Sequence, residues 1–238
     1  MYGAVIDIGN TRIKAAIFEN DILKKKFDFE NFNDLILFVK QFTVDIPVII
    51  SDVTSSDINS LNAYIKKLII LDCKTPIPIK NNYKTPDTLG YDRLAAAIGA
   101  SAKYKNENVL VIDMGTCIKY DFINEKLEYY GGSISPGLEI KFQALNHFTQ
   151  KLPLENKNYE FSLIGTTTSE AIVNGVMNGT LAEINGIIQE YKITYPNIKV
   201  VITGGDMLYF ADKIKGVIFA DPDLVFKGLY EVLKYNVK

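Results

Sequence analysis

The chain opens with three short segments in which apolar residues are concentrated in strand-like runs. These segments are Ala4 to Ile8, Ile13 to Phe18 and Ile22 to Phe29, and short polar turns at Gly9-Asn10 and Glu19-Asn20-Asp21 separate them. Consecutive strands joined by turns this short run in opposite directions. The pattern therefore predicts an antiparallel meander in this part of the protein.

After the meander the pattern alternates between helical and strand periods. The predicted elements are an amphipathic helix at Phe32 to Phe42, a strand at Pro47 to Ile50, a helix near Ser56 to Lys67 and a strand at Leu68 to Leu71. A loop with three prolines, Lys74 to Thr88, comes next, and a helix rich in alanine is predicted from Tyr91 to about Tyr104. Alternating helices and strands are typical of α/β proteins.

The second half of the chain repeats this order. A polar break at Lys105 to Asn108 separates the halves, so we predict two domains, residues 1–107 and 108–238. The elements predicted in the second half are strands at Val109 to Asp113, Ile118 to Ile123 and Leu127 to Ile134, helices at Gly137 to Phe148 and Ser169 to Tyr191, a strand at Ile198 to Thr203 and a helix after Asp221.

One pentapeptide pattern, Val-Ile-Asp-X-Gly, ends the first strand of each half, at Val5 to Gly9 and at Val111 to Gly115. A buried strand delivers the aspartate to its exposed tip, and the glycine lets the backbone turn tightly and approach a ligand. Such a tip suits a hydrated Mg²⁺ on the carboxylate, with phosphate oxygens on backbone amides and on the hydroxyls of Thr11 and Thr116. The alternative is two ordinary hairpins with Asp-X-Gly turns.

Two halves that share this order of elements and this turn predict a duplicated ribonuclease-H-like α/β fold. Each lobe would contain a mixed five-stranded sheet flanked by helices, as in the actin-like ATPases, hexokinase and Hsp70. In that arrangement ATP lies in the cleft between the lobes, and closure expels water before phosphoryl transfer. The fold alone does not determine the reaction.

Composition narrows the class of protein. The 238 residues are 47% hydrophobic and carry a net charge of −2 from 26 basic and 28 acidic side chains, which argues against a nucleic-acid surface or a basic membrane-binding face. No apolar run reaches the length of a membrane span, and the first predicted strand begins too early for a signal peptide to precede it. Cys73, Cys117 and His147 form no zinc motif. We therefore expect a cytoplasmic protein.

Six short motifs, in order along the chain, resemble those of the type III pantothenate kinases. They are Asp7-Ile-Gly-Asn-Thr-Arg-Ile-Lys14, Gly90-Tyr-Asp-Arg93, Asp113-Met-Gly-Thr116, Gly131-Gly-Ser-Ile-Ser-Pro-Gly137, Gly165-Thr-Thr-Thr168 and Thr203-Gly-Gly205. The resemblance implies an enzyme that transfers the γ-phosphoryl group of ATP to the 4′-hydroxyl of pantothenate, the first step towards coenzyme A. It implies ATP contacts at Asp7, Ile8, Gly9, Asn10, Thr11, Arg12, Ile13, Lys14 and Thr116.

The resemblance also assigns the substrate side of the site. Asp92 would be the catalytic base and Arg93 would bind the pantothenate carboxylate, a group that a guanidinium binds well in a bidentate manner. Further pantothenate contacts are implied at Gly90, Tyr91, Tyr83 and Thr168. The alternatives are an ion pair in the first helical turn for Asp92 and Arg93, a packing anchor for Tyr83 and a helix-start hydroxyl for Thr168.

The implied cofactors are ATP, Mg²⁺ at Asp7 and a monovalent cation, K⁺ or NH₄⁺, at Asp113. The alternative for Asp113 is a capped turn, and the alternative for Lys14 is a side chain that faces solvent. In the family the site is completed across a dimer interface, so the resemblance implies a homodimer.

The chain departs from the family after its second phosphate motif. The family usually continues Ala-Thr-Thr, whereas this chain has Cys117, Ile118 and Lys119. Two hydroxyls are therefore missing, and Lys119 adds a cation. This lysine could replace a hydroxyl contact, alter the monovalent-cation requirement or point away from the site.

Two other functions remain open from the sequence. One is a different small-molecule kinase or phosphatase of the same superfamily, against which Gly90-Tyr-Asp-Arg93 argues. The other is a non-catalytic nucleotide-binding relative that regulates transcription. The intact set of Asp7, Asp92, Arg93 and Asp113 argues against that function, while Ile118 and Lys119 keep it open.

Overall fold

The structure is a computed structural model that describes residues 1–42, 46–54, 57–216 and 218–237. Its strands are β1 (Tyr2–Ile8), β2 (Ile13–Glu19), β3 (Ile22–Phe29), β4 (Pro47–Asp52), β5 (Lys67–Ile70), β6 (Lys80–Asn81), β7 (Val109–Met114), β8 (Cys117–Ile123), β9 (Glu128–Pro136), β10 (Lys199–Thr203) and β11 (Phe219–Ala220). Its α-helices are α1 (Phe32–Val39), α2 (Tyr91–Lys103), α3 (Leu138–His147), α4 (Thr168–Thr194) and α5 (Leu224–Asn236).

The chain forms two compact units. The first contains Met1–Asn106, Lys126–Tyr130 and Asp223–Lys238, and the second contains Glu107–Glu125 and Gly131–Pro222. The predicted domains, residues 1–107 and 108–238, are single segments of the chain, whereas each of these units combines separate segments. The predicted division therefore stays a prediction.

The sheet of the first unit has the strand order β3-β2-β1-β4-β5. The β1–β2 and β2–β3 pairs are antiparallel, whereas β1–β4 and β4–β5 are parallel. Alternate residues of β1 and β4, including Ile6 and Ile50, pack on one face against Leu35 and Phe38 of α1. This alternation sends Val5, Asp7 and the other odd positions of β1 to the opposite face.

Helices α2 and α5 pack very closely within the first unit. A Cβ at Gly228 of α5 would stand 1.7 Å from the carbonyl oxygen of Ala95 in α2, so only glycine fits there. Four alanines of α2 are buried: Ala95, Ala96, Ala97 and Ala100. The small side chains therefore fix the distance between the two helices, and with it the position of the start of α2.

The second unit repeats the sheet of the first. The second sheet has six strands, one more than predicted, in the order β11-β10-β7-β8-β9-β6. In it β7–β8 is antiparallel, and both β7–β10 and β10–β11 are parallel. Its core joins alternate residues of β7 and β10 to α3 and α4, through side chains such as Ile112, Ile202, Phe142 and Met177. The prediction of a duplicated α/β fold with mixed sheets is confirmed.

Several predicted elements differ in extent from the observed ones. Helix α1 ends at Val39 and not at Phe42, and the helix predicted near Ser56 to Lys67 is a short 3₁₀ helix, Ile58–Ala63. Ser56 itself lies outside the described residues. The predicted loop Lys74 to Thr88 contains β6, which pairs with Glu128 and Tyr129. Strands β6 and β11 have two residues each, too few for a sequence pattern to reveal.

None of the helices within the described ranges is long and apolar enough to cross a membrane.

Candidate active site

The first Asp-X-Gly turn follows β1. Asp7 is half-buried, and the strand register places it beside Lys14 of β2 on one side and Ser51 of β4 on the other. The turn is closed by a hydrogen bond from the Gly9 N–H to the Arg12 carbonyl oxygen at 3.0 Å, and Thr11 is exposed at its tip. A carboxylate, a lysine and exposed backbone thus lie together at the carboxyl end of β1.

Ser51 is a site residue that the sequence analysis missed. It is fully buried, and its hydroxyl oxygen makes no hydrogen bond within the described part of the chain. Together Asp7 and Ser51 offer oxygen ligands, which Mg²⁺ prefers. Among the described residues no group of three or more His, Cys, Asp or Glu side chains could hold a metal. One carboxylate still suffices, because Mg²⁺ in kinases takes its other ligands from phosphates and water.

The second Asp-X-Gly turn has the same surroundings. The register places Asp113 of β7 beside Lys119 of β8 and Thr203 of β10, as it places Asp7 beside Lys14 and Ser51. The number of residues from aspartate to lysine differs by one between the copies. The first turn is one residue longer than the second, so the strand pairing is the same in both. Thr203 is buried and, like Ser51, ends an apolar run in a strand parallel to the central one. That position is the signal by which Ser51 could have been found, whereas Thr203 was already part of the Thr203-Gly-Gly205 motif.

Lys119 points at Asp113. Its Nζ lies 3.0 Å from Asp113 Oδ2, and the two side chains are 20% and 14% exposed. Of the three possibilities left open for this lysine, the structure does not have it pointing away, because it is paired with the carboxylate at the tip of β7.

Two glycine motifs converge on the second turn. The Gly137 N–H donates to the Thr116 carbonyl oxygen at 3.1 Å, and the Asp206 N–H donates to the Met114 carbonyl oxygen at 2.9 Å. Gly204 has a φ of +92°, and a Cβ there would stand 2.6 Å from Asp113 Oδ1. Only glycine combines this backbone conformation with this approach. The Gly131–Gly137 and Thr203–Gly205 motifs therefore enclose the Asp113 turn.

A hydrogen-bonded network behind this turn was not visible in the sequence. Glu183 of α4 accepts from Tyr120 at 2.9 Å, from Lys141 of α3 at 2.8 Å and from Ser135. Burial opposes ionisation of Glu183, but these donors outweigh it and hold the pKa of its carboxyl below the usual value. The network ties α3, and hence Gly137 at its start, to β8, β9 and α4.

The start of α2 holds the predicted base and its neighbour. Asp92 Oδ1 accepts a hydrogen bond from the Arg93 N–H at 2.8 Å, so the carboxylate is held against the first helical turn. Arg93 is only 5% exposed, and its guanidinium carbon lies 5.6 Å from the centre of the Tyr83 ring. That ring in turn lies 6.3 Å from the ring of Tyr129. The structure therefore brings Tyr83, Asp92 and Arg93 together.

Thr168 is the first residue of α4 and is exposed. The helix is capped by Thr167, whose hydroxyl accepts from the Glu170 N–H at 3.2 Å, while the Thr166 N–H and hydroxyl both donate to Glu170. The helix-start explanation therefore applies to Thr166 and Thr167, and the cap does not use the Thr168 hydroxyl.

His147 lies outside these groups, whereas Cys117 closes the second turn, where its carbonyl oxygen accepts from the Gly115 N–H at 3.1 Å. His147 is exposed in the last turn of α3, with its ring against Phe148. Cys73 and Cys117 are both free thiols.

Comparisons with known proteins extend over nearly the whole chain. The family model described as type III pantothenate kinase matches residues 4–190. A type III pantothenate kinase of Phocaeicola vulgatus is 42% identical over 240 residues, which cover 98% of this chain and 98% of that protein. The alignment thus includes all three groups of site residues.

Solved structures resemble the chain in fold. A Campylobacter jejuni protein described as a Baf family transcriptional activator has a TM-score of 0.67 at 24% identity, with 98% of each chain covered. The activator of 2-hydroxyisocaproyl-CoA dehydratase from Clostridium difficile, solved with bound ADPNP, has a TM-score of 0.52 at 15% identity and covers 99% of this chain and 96% of that one. At these identities the likeness shows the fold alone.

Proposed function

This chain belongs to the type III pantothenate kinase family, and from that premise we propose how its residues divide the reaction. The enzyme transfers the γ-phosphoryl group of ATP to pantothenate and yields 4′-phosphopantothenate, the first step of coenzyme A biosynthesis. The observation that carries the residue assignment is the start of α2, where a buried arginine and a fixed carboxylate occupy adjacent positions.

Asp92 is the catalytic base. It takes the proton of the 4′-hydroxyl as that oxygen attacks the γ-phosphorus in line, and the bond from phosphorus to the ADP oxygen breaks. The hydrogen bond from the Arg93 N–H at 2.8 Å supports this role, because it fixes the carboxylate before substrate binds.

Arg93 binds the pantothenate carboxylate. A guanidinium offers two parallel N–H donors to a carboxylate, and its burial strengthens the interaction by excluding water. Tyr83 lies over the guanidinium and restricts its orientation. Gly90, Tyr91 and Thr168 supply further substrate contacts.

The turn from Asp7 to Lys14 binds the triphosphate together with Thr116. Exposed backbone after β1 and the half-buried Lys14 support this assignment. Asp7 would hold Mg²⁺, which when bound neutralises the charge on the phosphate oxygens. The ADPNP bound to the dehydratase activator of the same fold also supports a nucleotide here.

A monovalent cation at Asp113 does not fit the residues present. Lys119 already holds Asp113 Oδ2 at 3.0 Å, and Gly204 closes on Oδ1. We therefore assign no step of the reaction to a bound K⁺ or NH₄⁺.

We also propose that the enzyme is a cytoplasmic homodimer. The segment before α4 exposes large apolar side chains, with Leu163 at 87% and Ile164 at 76%, next to the proposed substrate contact at Thr168. Apolar side chains this exposed are typical of surfaces that a partner covers. The two free thiols, Cys73 and Cys117, agree with a reducing compartment.

The Asp92→Asn variant tests the assignment of the base. Asparagine keeps the size of the side chain and can still accept from the Arg93 N–H, so the helix start should be unchanged. We expect kcat for pantothenate-dependent ADP formation to fall by roughly 10²–10⁴-fold, the usual contribution of a positioned base. Melting temperature should stay within about 2 °C of wild type.

Asp87→Asn is the matched control. Asp87 is an exposed carboxylate five residues earlier, in the 3₁₀ helix Pro86–Thr88, and its change should leave kcat within about twofold. If Asp92→Asn turned over at the rate of Asp87→Asn, Asp92 would not be the base.

A further inference from the structure

The ion pair at the tip of β7 gives this enzyme a charged group of its own at the phosphate side. We propose that the Lys119 ammonium takes the place of a bound monovalent cation at Asp113, so that the kinase works without K⁺ or NH₄⁺. This inference rests on the proposed kinase function and concerns the same site.

The strand register fixes the pair. Asp113 and Lys119 are direct partners across the antiparallel β7–β8 ladder, so their side chains leave the sheet on the same face and at neighbouring points. The lysine therefore reaches the carboxylate without a loop movement, and its Nζ lies 3.0 Å from Oδ2. A threonine at this position would leave the space beside Oδ2 open, because its side chain ends well short of the lysine ammonium.

The other side of the carboxylate is also enclosed. The backbone at Gly204 approaches Asp113 so closely that a Cβ there would stand 2.6 Å from Oδ1. The Asp206 N–H closes the same turn by its hydrogen bond to Met114. One carboxylate oxygen thus faces an ammonium and the other faces packed backbone.

The charges at this turn favour a single cation beside Asp113. The pair is neutral, and both side chains are largely buried, so an added K⁺ would give the site a net positive charge and would lie at short range from the ammonium. A lysine ammonium has the charge of K⁺ and the N–H donors of NH₄⁺. Because it is covalently attached, it does not dissociate when the surrounding salt changes. The turn at Thr116 would thus keep its cation at any K⁺ concentration.

The test compares salts at constant ionic strength. Initial rates of pantothenate-dependent ADP formation are measured in potassium nitrate and in tetramethylammonium nitrate, for wild type, Lys119→Thr and Lys119→Gln. We expect the wild-type rates to agree within about twofold. In at least one variant the rate should fall tenfold or more without K⁺ and return when K⁺ is added.

Lys199→Thr is the control variant. Lys199 pairs with Glu107 at 3.4 Å at the opposite end of the same sheet, so its loss removes a more exposed lysine–carboxylate pair far from the turn. Its rates should be equal in the two salts.

Direct binding of a K⁺ analogue provides a readout that does not depend on turnover. Titration with Tl⁺, followed by thallium nuclear magnetic resonance, should show no saturable site in wild type and one site in a Lys119 variant. Saturable Tl⁺ binding to wild type, or a wild-type rate that falls tenfold without K⁺, would overturn the inference. Variants that neither bind Tl⁺ nor respond to K⁺ would overturn it as well. Absence of pantothenate turnover in every salt would instead contradict the kinase function, and the Tl⁺ titration would still decide the role of Lys119.

Discussion

Arg93 joins a full positive charge to nearly complete burial. Its side chain is 5% exposed, lies under Tyr83 and follows directly after the carboxylate of Asp92. A charge this deep in a protein is favourable only when anionic or polar groups compensate it. In the proposed function the substrate carboxylate is such a group, and the planar guanidinium sets its orientation.

Arg93→Lys tests this role. Lysine keeps the charge but loses the second parallel donor, which should weaken pantothenate binding by about 1.5–3 kcal/mol. We expect KM for pantothenate to rise by roughly 10–100-fold while KM for ATP changes little. Steady-state kinetics measure both constants, and Lys103→Arg at the other end of α2 serves as the control.

The outcome against this role would be an unchanged pantothenate KM in a variant that melts like wild type. A loss of melting temperature with equal changes in both KM values would point to a packing role instead.

The site residues differ in how far the sequence could predict them. Asp92 and Arg93 are neighbours in the chain, so their juxtaposition follows from one motif. The pairing of Lys119 with Asp113 depends on the number of residues in the turn between β7 and β8, and a register shift by one residue would have sent the lysine to the other face. Ser51 and Glu183 come from other strands and helices and belong to none of the six motifs, whereas Thr203 was part of the Thr203-Gly-Gly205 motif.

At the scale of elements, prediction succeeded where the signal was local. Strands β1 and β2 are apolar runs, β3 alternates, and turn residues separate the three. Their predicted bounds agree with the structure to within two residues. Strands β6 and β11 have two residues each and are defined by their pairing with a neighbouring strand. The 3₁₀ helix Ile58–Ala63 lies where a longer helix was predicted. In such short segments tertiary contacts outweigh local propensity.

The close packing of α2 against α5 predicts a sensitive position. In Gly228→Ala the new methyl group would overlap the Ala95 carbonyl oxygen, so the helices must separate. Overpacking of this kind costs about 1–3 kcal/mol, which should lower the melting temperature by roughly 3–10 °C. Differential scanning calorimetry measures the change.

Gly186→Ala in α4 is the control, because a Cβ there meets no atom within 4 Å. Its better helix propensity should leave stability equal or raise it by up to about 1 kcal/mol. Equal melting temperatures for the two variants would mean that α2 and α5 are not held as closely as the structure has them.

At the scale of the whole molecule, the repeat is the main organising feature. Both units have a meander followed by two parallel strands, and in both the central strand ends in Asp-X-Gly with a lysine and a hydroxyl residue as register partners. The sequence revealed this duplication because the motif recurs at equivalent strand ends. No sequence pattern indicated that α5 belongs to the first unit, because its position late in the chain assigns it to the second half.

The central claim is that this repeat supports phosphorylation of pantothenate. The purified chain would be incubated with ATP, Mg²⁺ and pantothenate in K⁺ buffer, and the product would be identified by phosphorus nuclear magnetic resonance and mass spectrometry. We predict a single phosphate ester on the 4′-hydroxyl, formed in equal amount with ADP. Unchanged pantothenate would contradict the account. Faster phosphorylation of a sugar supplied in place of pantothenate would contradict it as well.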